Sequence, residues 1–161
     1  MTSDKKNLTY PVSRTTIFTS NIEDSLFFWK DILGFSIIIE ANIPNPGASD
    51  IVGFKCGSLK VTVLSSSNSQ IGNIGLAEII DSKVKLENIR LNKVISFGET
   101  CIVIRTDNLK RILKKLKKYK SNIISEPTKL EIPIDEEVWE MFVRDPNGVL
   151  VNLSHHGKWF F

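Results

Sequence analysis

Asn21-Ile22-Glu23-Asp24-Ser25-Leu26-Phe27-Phe28-Trp29-Lys30-Asp31-Ile32-Leu33-Gly34-Phe35 is the stretch from which the rest of the chain can be read. Asn21 stands where a helix N-cap belongs, and Glu23 and Asp24 follow in the first turn, where carboxylates suit the helix dipole. Ile22, Leu26, Trp29 and Leu33 recur at helical spacing and give one apolar stripe, and Gly34 ends the helix. Upstream, Arg14–Thr19 is β-branched and aromatic, a strand. Downstream, strands are expected at Phe35–Glu40, Ile51–Cys56 and Leu59–Leu64. Pro44–Gly47 connects the first two and Gly57-Ser58 turns between the second pair.

The same order returns 87 residues later. Strand Cys101–Thr106 precedes Asn108, and Leu109, Ile112, Leu113, Leu116 and Tyr119 follow at helical spacing. Ser121 falls where Gly34 stood. Strands are expected at Asn122–Ser125, Val138–Val143 and Val149–Ser154, the last two joined through the turn Asp145-Pro146-Asn147-Gly148. Strand, helix and three strands, twice, describe a duplicated module. The expected fold is α+β, two tandem βαβββ modules in one domain spanning residues 1–161. Module one covers about 12–65, an insert 66–97, and module two about 98–156. Within the insert, Gly75–Ile80 reads as an added strand, and Asp81–Asn92 alternates charged and apolar residues without a period.

Composition narrows the function classes. With 42% hydrophobic and 24% charged residues, the chain can bury a core. Two cysteines, Cys56 and Cys101, lack CxxC spacing and read as reduced thiols of a cytoplasmic protein. No stretch reaches the roughly 20 apolar residues needed to span a bilayer, so no membrane partner is expected. The net charge of +3 owes much to Lys110–Lys120, which reads as a solvated helix face. Nucleic-acid binding would want that charge joined to aromatics or a known motif, and the sequence shows neither. Trp29 belongs to the helix stripe, and Trp139 shares alternate strand positions with Met141 and Val143. Trp159-Phe160-Phe161 forms an apolar end that folds back or packs against a second copy in a homodimer.

Two stretches carry a family resemblance. Asn21–Phe35 resembles the first-module signature of the vicinal oxygen chelate superfamily, the glyoxalase, bleomycin-resistance and dioxygenase group. Phe142–Leu153 resembles that family's terminal D-P-[DN]-G hairpin. The resemblance implies a cup of curved mixed sheet. In the family's enzymes a divalent metal sits in that cup, held by His, Glu or Gln on the first and fourth strands of each module.

Seven residues back from the helix cap lies Arg14 in module one and Cys101 in module two. The fourth-strand position aligns with Thr62 in module one and with Asn152, four residues after Gly148, in module two. Arg, Thr, Cys and Asn do not make the three-ligand set that a catalytic zinc, manganese or iron needs. Arg14 would repel a divalent ion. No metal and no cofactor are therefore expected. His155 and His156 are neighbours on a strand, point to opposite faces, and stay outside the site.

Arg14 reads either as an anchor for a ligand carboxylate or phosphate, or as half of an internal pair with Glu140. Cys101 lacks a base and reads as a small buried group. Thr62 and Asn152 offer hydrogen bonds only. The expectation is a metal-independent binder of a small molecule, an anionic one included, in an apolar cup lined by Arg14, Thr62, Cys101, Glu140 and Asn152. The alternative is a glyoxalase-like lyase, isomerase or dioxygenase whose metal site lies elsewhere in the register. Whether the chain catalyses a reaction is left open.

Overall fold

Each half of the chain folds into its own sheet with the same strand order. The computed structural model describes residues 9–67, 69–87 and 94–158. The first half gives β1 (Arg14–Thr19), α1 (Ile22–Leu26, running on as a π-helical turn over Phe27–Ile32), β2 (Ser36–Pro44), α2 (Gly47–Val52), β3 (Ser58–Ser65) and β4 (Asn73–Ile80). The second gives β5 (Cys101–Arg105), α3 (Leu109–Lys118), β6 (Asn122–Ile123), β7 (Thr128–Lys129), β8 (Val138–Arg144) and β9 (Leu150–His156). The sheets run β1-β4-β3-β2 and β5-β9-β8-β6, with β7 added to β8. The duplicated βαβββ order is thus present.

Three expectations need correction. Ile51–Cys56 is not a strand: Ile51 and Val52 close α2, and Gly53 ends it at φ +80°, a left-handed turn that glycine takes without strain. The β-branched pair Ile51-Val52 misleads because its neighbour Ala48, fully buried, anchors a helical turn against Leu59, Cys56 and Ala77. The strand at Gly75–Ile80 is no ornament; it is the fourth strand of module one, so that module runs to Ile80 and the insert begins after it. In the second copy, Lys120 takes the left-handed conformation at φ +53°, one residue before Ser121.

The two helix starts differ in chemistry. Asn21 is extended (φ −151°) and its Oδ1 accepts from the N–H of Glu23 at 2.9 Å and of Asp24 at 3.3 Å, a full N-cap. Asn108 makes no side-chain cap; its own N–H donates to Thr106 Oγ1 at 3.0 Å.

Two compact units follow from the contacts. One holds the residues up to Phe18 with Phe35–Val84, the other Thr19–Gly34 with the residues from Lys85 on. The helix of module one therefore packs within the unit of module two. There it meets the β8–β9 turn: Trp29 Nε1 donates to Asp145 Oδ2 at 3.2 Å, and Asn147 Nδ2 donates to Ser25 Oγ at 3.0 Å. Asp145 is 1% exposed and also accepts from the N–H groups of Asn147 and Val149, both at 2.9 Å. The two signature stretches are thus the two sides of one packed joint. Phe27 and Tyr119 meet edge to face at 4.7 Å, and Lys115 Nζ donates to the carbonyls of Asp31 and Ile32 at the helix end. Among the described residues, no helix is long and apolar enough to cross a membrane.

Candidate binding site

Partners across a ladder share a face, so the register sorts the site residues. In the first unit, a Cβ on Gly75 would lie 2.8 Å from Thr16 Oγ1 and 3.5 Å from Arg14 Cδ. Gly75 therefore belongs to the Arg14 face. Its partner is Val63, and Ala77 pairs with Val61, which puts all four on that face. Thr62 pairs with Leu76 and Glu40 and points the other way. Thr62 is thus neither on the fourth strand nor beside Arg14. The cause is the miscounted strand: with β4 restored, the residue beside Arg14 on the fourth strand is Gly75, which has no side chain. The Arg14 face is apolar and partly filled. The cluster of Ala48, Cys56, Leu59 and Ala77 lays α2 on one end of it. Arg14 itself is exposed at the strand's start and makes no side-chain hydrogen bond or ion pair among the described residues.

In the second unit, the register places Cys101 beside Leu150, Val103 beside Asn152, Phe142 beside Asn152, and Glu140 beside Ser154. Cys101, Glu140 and Asn152 accordingly share one face, and they are in contact. Asn152 Nδ2 donates to Glu140 Oε2 at 2.7 Å. The Asn152 N–H reaches the Cys101 thiol. Asn152 is 4% exposed, and its Oδ1 is buried with no hydrogen-bond partner among the described residues. Three of the five expected site residues are thus brought together. Glu140 takes Asn152 as its hydrogen-bond partner, so its carboxylate is not left waiting for a cation.

Burial raises the Cys101 thiol pKa; the Asn152 N–H works against this, and Glu140 and Glu99 add to it. The thiol is neutral near pH 7 and is no nucleophile. The face is not the apolar cup expected. Beyond Ser154 it carries His156, whose Nδ1 lies 3.1 Å from Glu136, and Arg105, 3.8 Å from the same carboxylate. At its other end Arg144, 3% exposed, binds Glu99, the Gly148 carbonyl at 2.7 Å and the Val94 carbonyl at 3.0 Å. This pair holds Glu99 below the usual glutamate range, chiefly through the Arg144 hydrogen bond. The reverse face, with Met141, Val143, Val151 and Leu153, is fully buried and supplies the apolar partner for Leu109, Ile112 and Leu116 of α3. Trp139 and His155 pair on that reverse side, and His155 Nδ1 lies 3.0 Å from the Thr106 carbonyl. The two histidines therefore do point to opposite faces.

Sequence reasoning missed Glu136 and Arg105 and set His156 aside; ladder register puts Arg105 and His156 on this face, and Glu136 reaches it from the loop before β8 through its contacts with both. Trp159–Phe161 lie outside the described residues. A cavity of about 870 Å³ opens beside α2, lined by Asn45, Ser49, Asp50, Phe54 and Asp81 among others. Its Ser49 is already bonded to Asn45 at 2.7 Å and to the Cys56 N–H at 3.1 Å, and none of the expected site residues lines it.

The model of the Glyoxalase/Bleomycin resistance protein/Dioxygenase superfamily matches residues 12–153. The chain belongs to this superfamily. Among solved structures, a glyoxalase family protein from Bacillus cereus superposes with a TM-score of 0.75 at 13% identity, covering 98% of this chain and 100% of that one. The trypanothione-dependent glyoxalase I of Leishmania major gives 0.60 at 15% identity, covering 91% and 87%. An antibiotic-binding protein from a Streptomyces species gives 0.56 at 12% identity, covering 93% and 98%. Identities this low establish the shared fold. No curated protein matches the sequence.

The superfamily's divalent metal does not fit the donors present. Among the described residues, no group of three His, Cys, Asp or Glu stands where it could hold an ion. On the second sheet, Asn152 turns an amide hydrogen toward Glu140, and the Cys101 thiol is kept protonated. On the first, the positions are a cation and a glycine.

Proposed function

We propose that this protein binds a small molecule without the help of a resident metal, in the manner of the superfamily's sequestering members, and that the polar face of the second sheet is where it does so. The observation that carries this reading is the Cys101–Glu140–Asn152 group. A metal enzyme would turn lone pairs into the site here, whereas Asn152 turns an amide hydrogen to Glu140. The antibiotic-binding structural relative lends support at the level of fold. Arg14, exposed at the start of β1 in the first unit, is offered separately, as an anchor for an acidic group on that unit's own sheet. A cytosolic location and a homodimer belong to the same reading, and gel filtration tests the second.

Metal analysis of untagged protein tests the central claim. Well under one equivalent of Zn, Ni, Mn or Fe is expected, with a melting temperature that chelator leaves unchanged. Stoichiometric metal, or a large stability loss on chelation, overturns it. The rival reading is a glyoxalase-type lyase in which Glu140, half-buried on the sheet, serves as base. Isomerisation of a thiol hemithioacetal above the buffer rate, with Ni²⁺ or Zn²⁺ added, would favour that rival.

A further inference from the structure

A second cavity, of about 330 Å³, opens within the second unit, where α1, the end of α3 and the start of β6 meet. Phe28 and Ile32 are buried in its lining, while Phe27 and Tyr119 are exposed to solvent, so a guest can enter and still reach apolar surface. The charged groups of the lining fall into two classes. Arg144 and Asp145 are buried and already bonded, Arg144 to Glu99 and Asp145 to Trp29 and Asn147. Asp24 and Lys120 are exposed, and neither makes a side-chain hydrogen bond or ion pair among the described residues. The half-buried Ser121 hydroxyl and Asn122 amide, in the same lining, make no hydrogen bond among the described residues either. Lys120 is held there at a conformational cost. At the end of α3 its N–H donates to the Lys117 carbonyl at 3.2 Å, and the Ser121 N–H donates to the Leu116 carbonyl at 2.9 Å. This Schellman turn needs a left-handed residue, usually glycine, and Gly34 at φ +88° fills that place after the first helix. Lys120 takes it at φ +53°, against the resistance of its Cβ. The chain thus keeps a cation at the cavity where its backbone would prefer glycine.

We propose that this cavity binds a small zwitterion with an apolar side chain, a free α-amino acid of the size of leucine or phenylalanine. Its carboxylate meets Lys120, Ser121 and Asn122, its ammonium meets Asp24, and its side chain lies against Phe27, Phe28, Ile32 and Tyr119. A lone anion would be repelled by Asp24 and a lone cation by Lys120, and a neutral guest would leave both charges uncompensated. A zwitterion gives each a charge-assisted partner, the strong kind of hydrogen bond. The volume sits at the low end for small-molecule pockets, which suits one amino acid and not a peptide. The Phe27 and Tyr119 rings brace each other edge to face, so this wall is set before a guest arrives. This inference goes beyond the reading above, because none of Cys101, Glu140 and Asn152 lines the cavity.

Three probes with one aromatic body test it: L-phenylalanine, 3-phenylpropionate, which lacks the ammonium, and phenethylamine, which lacks the carboxylate. Binding is followed by NMR at the Ile32 methyls and the Tyr119 ring, with the Val103 methyls and the Asn152 side-chain amide as reporters of the second sheet. L-Phenylalanine should shift the Ile32 and Tyr119 signals and bind about tenfold or more tightly than either fragment. Lys120→Gly should abolish its advantage over phenethylamine, and Asp24→Asn its advantage over 3-phenylpropionate. Because glycine suits the turn, Lys120→Gly should melt no lower than wild type, so lost binding cannot be put down to lost folding. A lower melting temperature would overturn the role given to Lys120 by showing that the lysine serves the fold. Equal binding of all three probes at Ile32 overturns the zwitterion assignment. Shifts at Val103 and Asn152 without shifts at Ile32 overturn the cavity and leave the reading of the second sheet standing. No shift at Ile32 or Tyr119 with any probe overturns the proposal outright.

Discussion

On the first sheet, the face that begins with Arg14 is built from Gly75, Ala77, Val61 and Val63 and is partly filled by α2. On the second, the face that begins with Cys101 carries Glu140, Asn152, Ser154 and His156, and an ion pair at its end. Strand order is the same in both sheets, and the side chains have diverged completely. The duplication has thus conserved what the backbone needs and released what a ligand would see. The first has glycine at its fourth-strand position, where a Cβ would press on Thr16. The second carries polar groups, with a buried acceptor that has no partner among the described residues. Shared topology says nothing about shared chemistry, even between two halves of one chain.

The turns that close the last hairpins differ as sharply, and the largest predicted effect lies there. Asp145 gathers the Trp29 indole, two backbone N–H groups and the Asn147 amide, whereas no single side chain gathers the described part of the β3–β4 loop: the Ser67 N–H donates to Ser65 Oγ at 3.4 Å, the Ile71 N–H to Ser69 Oγ at 3.1 Å and Asn73 Nδ2 to the Ser69 carbonyl at 3.1 Å. Asp145→Ala strands several buried donors and should cost about 3 kcal/mol or more in urea unfolding, against about 1 kcal/mol or less for Ser65→Ala. Equal effects would mean that the joint between α1 and the β8–β9 turn does not hold the second unit together.

Gly75 sharpens the contrast between the faces. A methyl group there meets Thr16 Oγ1 at 2.8 Å, so Gly75→Ala should destabilise by about 1–3 kcal/mol. Adding Thr16→Ala should recover most of that loss, because the hydroxyl it removes is the nearest obstacle. A double mutant no better than the single would place Gly75 away from the Arg14 face and undo the assignment of β4.

These two cases also show what could be read in advance. The helix cap at Asn21, the stripe through Trp29 and the Asp145–Gly148 turn were legible because their signals are local: a cap bonds two residues on, a turn four. The stretch Ile51–Cys56, which opens on the β-branched pair Ile51-Val52, was misread because strand propensity measures fit to a half-buried pleat, and Ala48 found a better burial as part of a helix. That error displaced β4 into the insert and moved the fourth-strand position onto Thr62. Asn152 and Glu140 share a face because the D-P-N-G turn fixes the register of β8 against β9. The bond from Trp29 to Asp145 spans 116 residues, and no local pattern announces it.

The Arg144–Glu99 pair gives a smaller, pH-dependent test of the polar face. Arg144 holds the Glu99 carboxyl below its ordinary range, so the folded state binds its proton less readily than the unfolded chain. That stability is complete above the usual glutamate range and is lost as pH falls through the lowered folded value. Asp145 works with the opposite sign, because burial raises its pKa and stability there falls as pH rises through the carboxylate range. Unfolding midpoints of Glu99→Gln across acid pH should therefore lack part of the wild-type loss on acidification. A variant that follows wild type in parallel would show that the pair contributes nothing to folding.

The smallest effect on stability is expected at Arg14, and it decides between two roles. Had Arg14 been the internal partner of Glu140, Arg14→Gln would strand a buried carboxylate and cost about 3–5 kcal/mol. Glu140 instead accepts from Asn152 at 2.7 Å, and Arg14 is exposed without a polar side-chain contact among the described residues. Arg14→Gln should therefore change unfolding free energy by no more than about 0.5 kcal/mol, as exposed substitutions do. The double change with Glu140→Gln should simply add the two single effects. Ligand affinity then carries the information that stability does not. If Arg14 anchors an acid, a carboxylate probe such as 3-phenylpropionate should weaken about tenfold in Arg14→Gln while phenethylamine is unmoved. Loss of stability with recovery in the double mutant would restore the internal pair and leave Arg14 no ligand to hold.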